Sequence, residues 1–362
     1  MDEGALRALE FDHLVYVIRN LAVTPTGRDR LSDLLPSTDP SVVATTQRAT
    51  SEGTRFLADN PGFPLRAPAE LDIILRALAV ENRALEPLRL LAIADYLESI
   101  EQTRNLVTRL GEPFTILRKL VGPVASFSPE IADVRRKLDS SGEVADTASP
   151  ALATIRDRLR KQRAKLRSTL DGFLRGRDTA KYLQDQVVTD RNGRYVLIVR
   201  AEHRSSIPGI VHGTSASGAS LFLEPLGTVD INNDIVALEE QEREEVQRIL
   251  LELTDAFRAR QDELNQSIDV ATELDVIQAR ARFSIMVGGV EPVISADGAF
   301  ELKGARHPLL MRRVQERLGS GLGPEDSGLD GDSAPDRIPN PESRIPDAGS
   351  ASTIAKAEPP PS

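Results

Sequence analysis

Ser215 and Ser217 follow His212 in the run His212-Gly213-Thr214-Ser215-Ala216-Ser217-Gly218. A serine hydroxyl near an imidazole suggests acyl transfer, with the histidine as general base. The spacing does not support that chemistry. A nucleophile elbow reads Gly-x-Ser-x-Gly, whereas the residue two after Ser215 is Ser217. His212 sits on an adjacent predicted strand, and no acid is clearly placed to orient it. Small residues of this kind suit a tight turn whose hydroxyls bond backbone or phosphate oxygens. The chain has no Cys, which excludes disulfides, thiolate metal sites and a thiol nucleophile. It has only 4 His, so a histidine metal cluster would need most of them to converge. His307, just before Pro308, reads as a structural or domain-junction residue. No Gly-Lys dipeptide occurs, so there is no G-x-x-x-x-G-K-[ST] loop to cradle phosphates.

The chemistry that remains is cationic. Between residues 186 and 218, Arg191, Arg194, Arg200 and Arg204 stand against Asp190 and Glu202. Arg191 and Arg194 flank Asn192-Gly193, a strong two-residue hairpin signal, and are expected to be exposed there. Guanidinium groups match phosphate oxygens in a bidentate manner. Only Tyr195 and Phe222 supply aromatic surface in this stretch, which favours contact with a nucleic-acid backbone over reading of bases. The candidate nucleic-acid-binding set is therefore Arg191, Arg194, Arg200, Arg204, His212, Ser215 and Ser217. No residue is assigned to catalysis, cofactor or metal. On charge alone, a solvated hairpin explains the same arginines.

These residues need a scaffold. Val187–Thr189, Tyr195–Val199, Ile210–Val211 and Leu221–Leu223 read as short strands of a small β module. Helical patterns bracket it. Ser149-Pro150 is a helix start, with Ser149 as cap and Pro150 in the first turn. Beyond it Leu152, Leu159, Leu166 and Phe173 recur every seven residues. In the stretch 235–282, Leu250, Phe257, Leu264 and Ala271 do the same. Such seams suggest an antiparallel coiled coil, though two ordinary surface helices with solvated faces also fit. Charge favours pairing: residues 151–181 hold ten bases against three acids, and residues 239–263 nine acids against four bases. Residues 1–125 carry helical apolar periodicity punctuated by Pro36, Pro40, Pro61, Pro64 and Pro68. Val287–Ile294 and Ala299–Leu302 look like strands.

The fold class is thus mainly α with a small inserted β module. The expected layout is a helical core (1–148), a first lever helix (149–181), a β clamp (182–232) and a second lever helix (233–284). A short further segment (285–313) and a disordered acidic tail (314–362) follow. Hydrophobic residues make up 40% of the 362, enough to bury a sizeable core, while aromatics are only 4% and Trp is absent. The net charge of −10 speaks against indiscriminate binding of nucleic acid, but the charge is segregated, and a local patch decides binding. No signal peptide or transmembrane span is read, which points to the cytoplasm and away from a membrane.

Several stretches resemble the second MutS subfamily. They are Leu9-Glu10-Phe11-Asp12 with Thr26-Gly27-Arg28, and Gly142-Glu143-Val144 with Ala148-Ser149-Pro150. The most specific runs from Tyr182-Leu183-Gln184-Asp185 through Gly209-Ile210-Val211-His212 and Phe222-Leu223-Glu224-Pro225 to Asn232-Asn233. Ala305-Arg306-His307-Pro308-Leu309 closes the match, which covers roughly residues 1–313. Gly213 departs from it, since an acid is expected beside the histidine. The resemblance implies a homodimeric ATPase with helical core, levers and clamp, makes 285–313 the truncated start of its α/β ATPase domain, and implies in many members a C-terminal Smr nuclease. ATP and Mg are implied for the complete protein, though not for this chain. Implied partners are branched, junction or mismatched DNA, in control of recombination or DNA repair. The alternatives are ribosomal RNA in rescue of collided ribosomes, or a dimerisation module that binds no nucleic acid. Without the phosphate loop and the Smr domain, the chain reads as a fragment, inactive alone. Otherwise the tail is an insertion and the remainder lies beyond it.

Overall fold

Capped, proline-started helices dominate the computed structural model, which describes residues 3–177, 179–295 and 299–319. The first set is α1 (Glu3–Ala8), α2 (Phe11–Arg19), α3 (Pro25–Ser32), α4 (Pro40–Asp59), α5 (Leu71–Leu78), α6 (Pro87–Thr108), α7 (Thr115–Leu120) and α8 (Ser128–Lys137). Proline opens α3, α4 and α6, where its missing N–H costs nothing. Thr24 and Asp39 cap the first two of these by accepting backbone N–H bonds. The apolar faces of α4 to α8 meet in one core around Phe56, Leu71, Ile93, Tyr96 and Leu117, while Val17 of α2 and Leu31 of α3 pack in smaller clusters of their own.

Two long helices leave this core together. In α9 (Pro150–Arg175), Ser149 Oγ accepts from the N–H of Leu152 at 3.0 Å, the cap expected from the sequence. The partner, α10 (Leu226–Arg258), runs back antiparallel along it. Arg156 meets Glu242 at 2.6 Å and Arg163 meets Glu239 at 2.7 Å, so basic and acidic faces do join. Leu152, Ile249, Leu250 and Leu253 belong to the helical core. Further along, Leu159, Leu166, Leu170, Ile231, Ile235 and Leu238 belong to a second core beneath the sheet. Each helix therefore spans both cores, and α9 is roughly 40 Å long at 1.5 Å per residue.

The sheet contains β1 (Leu183–Arg191), β2 (Arg194–Arg200), β3 (Gly209–Thr214) and β4 (Ser220–Pro225). It is antiparallel throughout, in the order β1-β2-β4-β3. Asn192 and Gly193 both have positive φ, as a tight hairpin between right-twisted strands requires. At Gly213 a register shift interrupts β3 with φ at 150°, a backbone region that a side chain enters only with strain.

Three expectations are corrected. The second seam is not one helix: α10 ends at Arg258, and α11 (Gln261–Val287) follows. Arg260 holds the break, its guanidinium 4.3 Å over the Phe127 ring and bonded to Ser126 O and Glu130. Phe257, Leu264 and Ala271 pack in the helical core, apart from the α9 seam residues Leu159 and Leu166. The expected strands Val287–Ile294 and Ala299–Leu302 do not form: Val287 ends α11, and 288–294 and 299–302 carry no strand. Val290, Val293, Phe300 and Leu302 are exposed, and an apolar run becomes a strand only where a neighbouring strand takes its hydrogen bonds. Finally, the first residues of the expected tail are ordered. In α12 (Arg312–Gly319), Val314 is buried with Val17 and Leu309, an apolar contact that composition alone did not reveal. The rest of that tail lies outside the described residues.

Candidate nucleic-acid interface

Glu224 is the centre of the β module. It stands on β4 within Leu221-Phe222-Leu223-Glu224-Pro225 and is wholly buried, at 0% exposure. A carboxylate there must be matched by donors. Arg194 Nη1, from β2, reaches both its oxygens, at 2.8 and 3.1 Å. Asn232 Nδ2, from the first turns of α10, donates to Oε1 at 2.8 Å. His212 Nε2, from β3, lies 2.5 Å from Oε2. Asn232 also bonds the backbone N–H and C=O of Tyr195, and Arg194 bonds the side chain of Asn233. One buried acid thus ties three strands to a helix. The Glu224 carboxylate is the acid that sequence reasoning did not find for His212. A charged residue amid an apolar strand was the available signal, because alternation puts such a residue either at an edge or in a network.

The candidate arginines accordingly separate. Arg194 is not an exposed phosphate ligand: its side chain is 26% exposed and committed to Glu224. Arg191 is exposed, but its guanidinium lies 3.9 Å over the Phe222 ring. Arg200 and Arg204 are exposed and make no ion pair among the described residues. Ser215 Oγ accepts from the N–H of Ser220 at 3.1 Å and sits 3.3 Å from the Ser217 hydroxyl, so the run is a turn held by its own side chains. His212, Arg194 and Arg191 are gathered around β4, but Arg200 and Arg204 are not part of that cluster.

More free cations lie on α9. Arg158, Lys165, Arg167 and Arg175 are exposed and have no ion-pair partner among the described residues. Arg156 and Arg160 are bound to Asp146, and Arg163 to Glu239. The hydrogen bond to Glu239 pushes the Arg163 guanidinium further above its ordinary range. Bonds from Arg248 and from the capping Ser149 hydroxyl hold the Glu245 carboxyl down at about 2. Between α9 and β1 is a groove of about 480 Å3, lined among others by Arg163, Arg167, Leu170, Val187 and Tyr195. Among the described residues no three acids or histidines converge where a metal could bind, and no helix is long and apolar enough to cross a membrane.

A helical body, a paired-helix extension and a four-stranded module locked by a buried acid define the class: a mainly helical protein with a small antiparallel sheet. The chain is 37% identical over 314 residues to endonuclease MutS2 of Symbiobacterium thermophilum, covering 87% of this chain and 39% of that protein. It is 34% identical over 314 residues to endonuclease MutS2 of Pelotomaculum thermopropionicum, covering 87% and 40%. Against endonuclease MutS2 of Listeria monocytogenes it is 34% identical over 313 residues, covering 86% and 40%. No protein-family model matches. The chain belongs to the MutS2 subfamily and spans about two fifths of the length of these relatives, corresponding to an N-terminal portion.

Proposed function

We propose that this chain is the arm-and-clamp portion of a MutS2-type ATPase and that it holds nucleic acid by its sugar–phosphate backbone. In this reading, residues 1–148 form the core, 149–181 and the N-terminal half of 233–284 the levers, and 182–232 the clamp. Residues 285–313 lead towards an ATPase domain that would use ATP and Mg in the complete protein. The target is branched or junction DNA, embraced by two copies in a homodimer in control of recombination or repair. One observation carries this: the acids of α10 are largely spent on neighbouring arginines, while Arg158, Lys165, Arg167, Arg175, Arg200 and Arg204 on α9 and the module have no ion-pair partner among the described residues. A chain of net charge −10 thereby keeps a local basic surface.

The test is a set of fluorescence-anisotropy titrations with a four-way junction, a linear duplex and a ribosomal-RNA hairpin at several salt concentrations. Backbone binding requires affinity to fall steeply with salt and to follow target shape more than sequence. A preference for the junction supports the DNA reading, and a preference for the hairpin replaces it with ribosomal RNA. No binding to any of the three at low salt refutes the reading.

A further inference from the structure

The outer face of α9 has a pattern of its own. Positions 158, 161, 165, 168, 172 and 175 recur at steps of three and four residues and so share one side of the helix. They are Arg158, Lys161, Lys165, Ser168, Gly172 and Arg175, and every one is exposed. The opposite side carries Leu152, Leu159, Leu166 and Leu170, which are buried. The outer stripe therefore contains four bases, with one acid, Asp157, at its near end and Asp171 beside its far half. Among the described residues only Lys161 of these bases is in an ion pair, with Asp157 one turn back at 2.6 Å. From Arg158 to Arg175 the stripe runs roughly 25 Å at 1.5 Å per residue.

Its far half is hollowed. Ala164, Ser168 and Gly172 stand one turn apart and form a shallow depression of about 510 Å3, with Arg167, Asp171 and Arg175 around it. Gly172 has no internal reason to be glycine, since a Cβ there would meet nothing within 4 Å. A helical glycine costs about 1 kcal/mol against alanine. The missing side chain leaves room for something outside the chain to come close. What comes close must be anionic and extended to match a straight row of cations. A duplex backbone satisfies both, with one charge per ~1.7 Å of axis.

We propose that the outer face of α9 is a phosphate track. One strand of a nucleic-acid duplex lies along Arg158, Lys161, Lys165 and Arg175, and its sugar–phosphate chain settles into the Ala164–Ser168–Gly172 hollow. This rests on the nucleic-acid reading above but moves the main contact from the sheet to the helix. The experiment uses the full chain and a labelled 30-base-pair duplex of mixed sequence, titrated across salt concentrations. The triple variant Arg158→Gln, Lys165→Gln, Arg175→Gln should bind more than tenfold more weakly at low salt. Its log–log salt slope should be flatter by about 2–3 units, one phosphate contact per base removed. Glutamine is a good helix former, and unchanged far-UV dichroism checks that α9 persists. Gly172→Leu alters no charge and should weaken binding severalfold at an unchanged slope. If the wild type binds the duplex while the triple variant matches it in affinity and slope, the track is overturned and the nucleic-acid reading stands on other residues. Gly172→Leu binding as tightly as wild type overturns the close approach at the hollow. If the wild type ignores the duplex, the track is overturned; if it also ignores the four-way junction and the ribosomal-RNA hairpin but binds an acidic polypeptide such as polyglutamate, the nucleic-acid reading falls with it, and the face belongs to a protein partner.

Discussion

Replacing Arg194 by alanine should damage the β module itself, and the structure says by how much. The change removes the donor that spans both oxygens of Glu224, leaving a carboxylate at 0% exposure with only Asn232 and His212. Breaking a buried ion pair from one side costs ~3–5 kcal/mol, because the survivor keeps its desolvation penalty. Glu224→Gln is milder. Asn232 can still donate to the amide oxygen, and Arg194, about a quarter exposed, can turn its charge to water. We expect ~2–3 kcal/mol for it. The double variant should cost less than the two losses added, by about 1.5–3 kcal/mol, since the second change removes a partner already stranded. Native-state hydrogen exchange of the β2 and β4 amides reads the loss where it occurs, and it suits a chain without Trp. If Arg194→Ala costs under about 1 kcal/mol and instead flattens the salt dependence of nucleic-acid binding, the pairing is not structural. Arg194 would then be the phosphate ligand first expected from the sequence.

Leu159→Asp and Phe257→Asp should both destabilise, each by placing an unpaired charge in a core, but in different places. The first should speed exchange in β1, β2 and β4, and the second in the helical body. Equal effects in both regions would mean that the two cores unfold as one. Gly172→Ala should raise stability by about 0.5–1 kcal/mol in urea unfolding, because the site is helical, exposed and open; a loss would show that the glycine serves the fold. Acid should loosen the start of α9. The Glu245 carboxyl, held down at about 2, contributes stability that is complete above its ordinary range near 4.5 and lost as pH falls towards 2. Glu245→Gln should flatten that part of the stability profile, and an unchanged profile would mean that the Arg248 and Ser149 bonds to Glu245 are not formed.

Local signals in the sequence were dependable where they act locally. Ser149-Pro150 starts a helix and Asn192-Gly193 turns a hairpin because each satisfies its geometry within a few residues. The four strands were legible as apolar runs between turn residues. What could not be read was which long-range partner each group would meet. The seven-residue seam through Phe257, Leu264 and Ala271 is real periodicity, but periodicity does not name the surface it packs on, and the break at Arg260 depends on Phe127 and Glu130 far upstream. The run Thr26-Gly27-Arg28 shows the same limit. Gly27 is required because the buried Asp275 carboxylate, 248 positions on, would lie 2.4 Å from a Cβ there. That carboxylate accepts from the Thr24 N–H and hydroxyl, each at 2.7 Å.

The same limit governs the candidate site. The seven candidate residues have types that suit phosphate binding, and type alone cannot distinguish an arginine that binds a ligand from one that holds a fold. Burial makes the distinction. Arg194 and Arg156 face carboxylates inside the structure, so their charge is largely cancelled before any ligand arrives. Arg200 and Arg204 on the module, with Arg158, Lys165 and Arg175 on α9, face water, and their field extends outward within a Debye length of about 8–10 Å. A chain of net charge −10 can therefore present a local basic surface, because Asp146, Glu239 and Glu242 beside α9 are spent on internal pairs. The residues that build the arm also decide which cations remain free. Freeing Glu239 and Glu242 by replacing Arg163 and Arg156 would restore two negative charges beside α9. Such a change should weaken duplex binding even though neither arginine touches the duplex.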